Sequence, residues 1–350
     1  MQKVAKVVLA VVAAVAIASV GTYEVLGSSS PNPCAGTTLP TGEGTPTNAS
    51  RLPSFSSGIS GGAQVPNGNV IRIVAAENFW GSLVSQLGGN RTSVLSIVTD
   101  PNADPHEYEA NVSDAQAIAN AQFVIVNGVG YDDWALQLIA ASASSNQVVL
   151  NVGNLNGVSV TGGIVSGNPH LWYNPVYVNH TVAAMYAVLV SIQPSSRGYF
   201  EANYAALNAS LGQLYARAGS IRSAFAGTPV ASTESIFVYL ANYTGLDLVS
   251  PPSFMEAIAE GNDPPTQSVV TFQCQLQTGK VAVLVYNEQT VTPITINMKT
   301  VAADSNTTII GITETIQPPA VDGMNTTFQE WMGSEYLQLY NALNARTLGQ

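Results

Sequence analysis

From residue 70 onward, short runs of β-branched residues alternate with stretches whose apolar positions recur every three or four residues. That rhythm predicts strand–helix units feeding parallel sheets. Strands are expected at 71–75, 94–98, 123–127 and 148–151, with helices at 79–87, 113–121 and 132–141 between them and a helix at 176–192 closing the set. Ser113 with Gln116 three residues on reads as a capping box. Pro194 stops the closing helix. The Ala- and Leu-rich stretch 196–225 then lacks proline and predicts one helix about 45 Å long at 1.5 Å per residue. A second set follows: strand 229–232, helices 236–243 and 267–277, strand 281–286, helix 294–303, strand 308–312 and helix 328–345. The expected fold class is α/β, two lobes with mainly parallel sheets joined by one long rigid helix. No internal sequence repeat accompanies the architectural likeness of the two halves.

The chain before residue 70 has a different texture. Lys3 and Lys6 precede an uncharged apolar run at 7–20, the layout of a secretory signal, and the run extends far enough to serve equally as a retained anchor. Residues 28–69 are Ser, Gly, Pro, Thr and Asn with no apolar period, as a flexible linker would be. The expected organisation is a signal or anchor at 1–27, a linker at 28–69, an N-terminal lobe at 70–193, a connecting helix at 194–226 and a C-terminal lobe at 227–350. The folded part is therefore expected outside the cytoplasm, tethered to the membrane or secreted. No second apolar run approaches the length of a span.

Composition narrows the function. With 11 Lys+Arg against 22 Asp+Glu the net charge is −11, which excludes a partner such as nucleic acid that must be neutralised by basic side chains. Charged residues make up only 9% of the chain, so the surface must be polar mainly through Ser, Thr, Asn, Gln and Gly. Two cysteines, Cys34 and Cys274, are too few for a Cys-rich zinc site or a disulfide framework; Cys34 fits a disulfide with Cys274 as well as it fits a plain exposed thiol. The three histidines cap any metal site at three imidazoles.

Two of those histidines lie in turn-rich loops, in Asp104-Pro105-His106-Glu107-Tyr108-Glu109 and in Asn168-Pro169-His170-Leu171-Trp172-Tyr173. The proline before each biases the backbone that enters the loop. Either alone also fits an ordinary loop histidine. Two carboxylates sit at matching places: Glu234 just beyond strand 229–232 and Glu314 just beyond strand 308–312. All four thus follow the carboxyl ends of expected strands, where open parallel sheets bind ligands. Two imidazoles and two carboxylates neutralise a divalent cation in a mixed N/O set suited to zinc or manganese. On unperturbed values, proton competition at the histidines would begin near pH ~6.5. His180 falls inside a helix and reads as a helix histidine. Asp132 and Asp133 read as helix N-terminal residues, and Tyr108, Tyr131, Trp134, Trp172 and Tyr173 as packing or supporting groups.

Taken in order, the segments Ala75-Ala76-Glu77-Asn78-Phe79, Asp104 to Glu109, Asn127-Gly128-Val129-Gly130-Tyr131-Asp132-Asp133-Trp134, Asn168 to Tyr173, Thr233-Glu234-Ser235-Ile236-Phe237 and Gly311-Ile312-Thr313-Glu314-Thr315 make the chain resemble the zinc/manganese substrate-binding proteins of ABC importers. The resemblance runs over nearly all of 70–343. It implies two α/β lobes on a rigid helical backbone, a metal in the interlobe cleft, and delivery to a membrane permease by a receptor expected to be a monomer. The metal ligands it implies are His106, His170, Glu234 and Glu314, with Zn2+ or Mn2+ as the transported ligand. Glu314 stands where an Asp is usual, and Glu288 and Asp322 are the alternatives for that place. The His-rich loop of many zinc members is absent. Two other classes stay open at this point: a metallohydrolase on the same His/Glu set, for which no HExxH motif is present, and a surface adhesin that keeps the receptor fold.

Overall fold

The computed structural model describes residues 34, 59–60, 70–142, 147–161, 164–318 and 326–348. The signal or anchor expected at 1–27 lies outside the described residues, as does Asp322. Neither cysteine is free. Within the span expected as linker, β1 (Ile59–Ser60) pairs antiparallel with the edge strand of the first sheet, a correction to a reading based on composition alone. Two residues are too few to show a period in sequence.

In the N-terminal lobe β2 (Ile71–Glu77), β3 (Thr92–Val98), β4 (Phe123–Val126) and β5 (Val148–Asn151) run parallel. With β1 they form a sheet in the order β1-β5-β4-β2-β3. Strand periodicity divides the central strands between two cores. Ile71, Ile73, Ala75, Phe123, Ile125, Val148 and Leu150 point to the main core, while Val74, Ala76, Val124 and Val126 meet Ile118 and Ala135 on the other face. Burial on both faces explains why these strands read as continuous apolar runs. The crossovers are α1 (Asn78–Gly88), α2 (Val112–Asn120) and α3 (Asp133–Ser142), followed by the short α4 (Val152–Leu155) and a hairpin of β6 (Ser159–Thr161) and β7 (Ile164–Ser166). The capping box of α2 is formed by Asn111 and Asp114, not by Ser113 and Gln116: the Asn111 carboxamide accepts from the Ser113 and Asp114 amides and so starts the helix one residue earlier.

α5 (Pro175–Ile192) closes the lobe. It is the one described helix long and apolar enough to span a membrane, with mean hydropathy 1.3 over 18 residues, contrary to the expectation that no second run approaches that length. Its buried residues, from Val178 to Ile192, pack in the main core. A 3-10 turn at Pro194–Ser196 leads into α6 (Arg197–Phe225), 29 residues long. Its buried positions Leu207, Leu211, Leu214, Ala218, Ile221 and Phe225 fall on one stripe at alternating steps of four and three.

The C-terminal sheet, β11-β10-β8-β9, is wholly parallel. It comprises β8 (Pro229–Ser232), β9 (Asp247–Leu248), β10 (Val283–Asn287) and β11 (Thr308–Ile312). Its helices are α7 (Val238–Thr244), α8 (Pro252–Ala259), α9 (Thr266–Gln277), α10 (Pro293–Asp304) and α11 (Phe328–Leu348). The α6 stripe shares one core with α1 and α5 of the first lobe and α7 and α11 of the second, so a single helix is cemented to both. Aromatic rings carry the same contact beneath the cleft: Phe79 stacks on Trp172 at 4.1 Å and faces Trp331 of α11 at 6.3 Å. Direct hydrogen bonds add to it, Asn78 exchanging two with the Ile316 backbone.

Candidate metal centre

His106, His170, Glu234 and Glu314 each bring one donor atom to within 4.8 Å of the others. Glu234, Glu314 and His170 are fully buried, and His106 keeps 20% of its side chain exposed towards the cleft. His170 Nε2 lies 3.1 Å from Glu234 Oε1 and 3.7 Å from Glu314 Oε2, and His106 Nε2 lies 3.4 Å from Glu314 Oε2. Despite this closeness, both Nε2 atoms and Glu234 Oε1 are buried without a hydrogen bond of proper geometry among the described residues. Leaving such atoms unpaired costs about 1–3 kcal/mol each, more where charged, so the donor set fits a cation at its centre. His180 is elsewhere, in α5, with Nδ1 3.1 Å from Asn156 Oδ1. Glu288 is exposed and packs over Gly311 beside Tyr286, away from the four donors.

Each donor is held by neighbours. The His106 loop leaves β3, and Asp104 accepts from the His106 amide at 2.9 Å; Tyr131 meets the His106 ring edge-on at 4.6 Å. Asn168 Oδ1 lies 2.6 Å from His170 Nδ1 while its amide donates across the cleft to Ser235 O. An amide oxygen only accepts, so His170 keeps a proton on Nδ1 and turns Nε2 inward as the nitrogen that can bind an ion once its own proton has left. Ser232 Oγ donates to Glu234 O and fixes the turn after β8. Glu314 follows β11, its backbone amide held by Gln289 Oε1 and its Oε2 accepting from Tyr131 at 2.7 Å.

Tyr131, expected as a packing or supporting group, does support the site, whereas Asn168, Asn287 and Gln289 were not singled out as site residues from sequence. The Tyr131 segment carried the family pattern, but uncharged amides give no signal of their own. Asp132 departs from expectation too. It is fully buried, and its carboxylate accepts from the Asn127 and Gly128 amides rather than from α3. It thereby holds a loop in which Gly128, Val129 and Gly130 all have positive φ; for the β-branched Val129 that conformation costs on the order of 1–3 kcal/mol.

The electrostatics are dominated by burial and by the two carboxylates. Burial favours neutral His170, but Glu234 and Glu314 outweigh it and raise its pKa to about 9. Burial works against ionised Glu314 as well, yet His106 and His170 lower it to about 2. Asp104 is raised to about 6, by burial and by the Glu314 charge. The window expected from unperturbed histidines is therefore corrected upward: the metal-free site holds a proton on His170 well above pH 6.5.

The cleft in front of His106 encloses about 940 Å³ and is lined by acidic Asp104, Glu107, Glu256 and Glu260. The family model described as "Zinc-uptake complex component A periplasmic" matches residues 73–342. The chain belongs to this family. Among its relatives, the manganese-binding lipoprotein MntA of Halalkalibacterium halodurans is 30% identical over 139 residues, 39% of this chain and 45% of that protein. The match to a Thermotoga maritima metal-binding protein spans 63% of its length, so the chain spans about half the length of these two. The manganese ABC transporter lipoprotein PsaA of Streptococcus pneumoniae is 23% identical, over 67% of this chain and 77% of PsaA. In structure, a crystal structure of ZnuA matches with TM-score 0.63 at 19% identity, and the Treponema pallidum periplasmic zinc-binding protein TroA with 0.66 at 14%. These cover 78% and 79% of this chain and 99% of each of theirs, and they show the same fold.

Proposed function

We propose that the protein is an extracytoplasmic receptor that captures a divalent transition metal, zinc or manganese, and delivers it to an ABC-type importer at the membrane. His106, His170, Glu234 and Glu314 are its ligands. The observation that carries this reading is the four donor groups within 4.8 Å of one another, with both Nε2 atoms and Glu234 Oε1 buried and without a hydrogen-bond partner among the described residues, and two carboxylates to offset a +2 charge. The acidic lining of the cleft draws cations inward, and membership of the zinc-uptake family supplies the transport role. The same four residues could polarise water only if a coordination position stayed open beside a general base, and nothing observed favours hydrolysis.

The test is a metal titration of chelator-stripped protein. One equivalent of zinc should bind, and Ala replacement of any of the four should weaken it at least about tenfold. His180→Ala and Glu288→Ala should bind like the parent. Unchanged affinity in both His106→Ala and His170→Ala would remove the assignment. Recovery of full-length protein in the soluble cytoplasmic fraction would remove the extracytoplasmic role.

A further inference from the structure

We infer that Asn287 fixes how many oxygens the two carboxylates can offer, and so biases the site towards four-coordinate zinc over manganese. The inference rests on the receptor reading above and sharpens it to one ion. Asn287 ends β10 and is 1% exposed. Its Oδ1 accepts from the Gln289 amide at 3.0 Å, which settles the orientation of the carboxamide: the NH2 end faces the site. Nδ2 then lies 2.5 Å from both Glu234 Oε2 and Glu314 Oε1. An amide nitrogen has two protons, and the two carboxylates take both. Thr290 Oγ1, also near Nδ2, donates onward to Asp104 Oδ2.

The oxygens that Asn287 holds are not those nearest the imidazoles. Glu234 Oε1 faces His170 Nε2, and Glu314 Oε2 faces both Nε2 atoms. Each carboxylate therefore turns one oxygen inward while the other is tied to the same buried amide. For either to bind an ion with both oxygens, a charge-assisted hydrogen bond in a water-poor site must break. Zinc is satisfied by four ligands in a tetrahedron. Manganese favours an oxygen-rich, six-coordinate shell, which this arrangement withholds. Asn287 touches no ion; it is a positioning residue.

X-ray absorption of the zinc-loaded and manganese-loaded protein, with competition titrations of both ions, tests this on the wild type and on Asn287→Leu, which keeps the volume and removes the donor. The wild-type zinc spectrum should fit two nitrogens and two oxygens at one short distance. In Asn287→Leu an additional, longer oxygen should appear, and the ratio of manganese to zinc affinity should rise about tenfold. A two-oxygen carboxylate in the wild-type zinc spectrum overturns the inference without any variant, so poor folding of Asn287→Leu does not shelter it. An unchanged affinity ratio in a folded Asn287→Leu overturns it as well while leaving the receptor reading intact. Failure of the wild type to bind either ion would instead sink the receptor reading and this inference with it.

Discussion

Filling the proposed metal site should expel a proton, over a pH range set by the carboxylates around His170. His170 is wedged between Glu234 and Glu314, and in the metal-free protein its pKa is raised to about 9. A metal can use Nε2 only once that proton has left. At pH 7 the proton holds an advantage of about two pKa units, so apparent affinity should sit about 100-fold, or about 2.7 kcal/mol, below its value at pH 9 and above. Affinity should fall about tenfold per pH unit between those limits, and about one proton should be released per ion at pH 7. Competition against a chromophoric chelator from pH 6 to 9.5, corrected for the chelator's own protonation, measures the slope. Calorimetry in buffers of different ionisation enthalpy counts the proton. A histidine with an ordinary value near ~6.5 would give flat affinity from pH 7.5 to 9 and no released proton at pH 8; that result would refute the argument from the two carboxylates.

Asn168→Leu should free the His170 ring and weaken zinc binding by about 10- to 100-fold, with far-ultraviolet circular dichroism unchanged. Metal-free stability should fall as pH rises from about 4.5 to about 9. His170 gains its partners in its charged form and loses that contribution through a folded pKa of about 9, while Glu335, raised to about 8 by burial, and Asp132, raised to about 6, bind more protons folded than unfolded above the usual carboxylate range; thermal melts that rise steadily from pH 5 to 8.5 would contradict this. Leu211→Ala, deep in the α6 stripe, should cost about 2–5 kcal/mol in denaturant unfolding, and a value under 1 would show that the stripe does not bind the lobes. Because that stripe, the Phe79–Trp331 contact and the Asn78–Ile316 pair already join the lobes, metal binding should change the radius of gyration by no more than about 1–2 Å in small-angle scattering.

The sequence discloses most where one residue type makes its own case. Val148–Asn151, Pro229–Ser232 and Thr308–Ile312 coincide with the expected strands, because short, mostly apolar runs bounded by Gly, Pro or polar residues signal a largely buried strand. α8 was not expected from sequence; it begins at Pro252, which occupies the first helical position, where its lost amide proton costs nothing. The four donors were legible as His and Glu beyond strand ends. Their supports were not, because Asn168, Asn287 and Gln289 act across the cleft or between loops far apart in sequence.

The carboxylates of the interior were the least legible feature. In a chain only 9% charged, an acidic residue outside the metal site reads as a surface group, yet Glu77, Asp132 and Glu335 are all buried. Asp132 and Glu335 pin the backbones that carry the site. Asp132 holds the strained loop that places Tyr131 against Glu314 and His106. Glu335 on α11 accepts from Tyr173, three residues beyond His170, and from the Thr313 amide, one residue before Glu314. It therefore spans the two lobes beneath the candidate metal centre and fixes the His170 loop against the Glu314 loop. Among the described residues Glu77 has no hydrogen-bond partner of good geometry, and it sits beside Asp132, its pKa pushed well above the usual range by burial and then by that charge. A neutral Glu77 spares the loop under Tyr131 a second buried charge, and a chain that places its few carboxyls this way can hold its site rigid with very little surface charge.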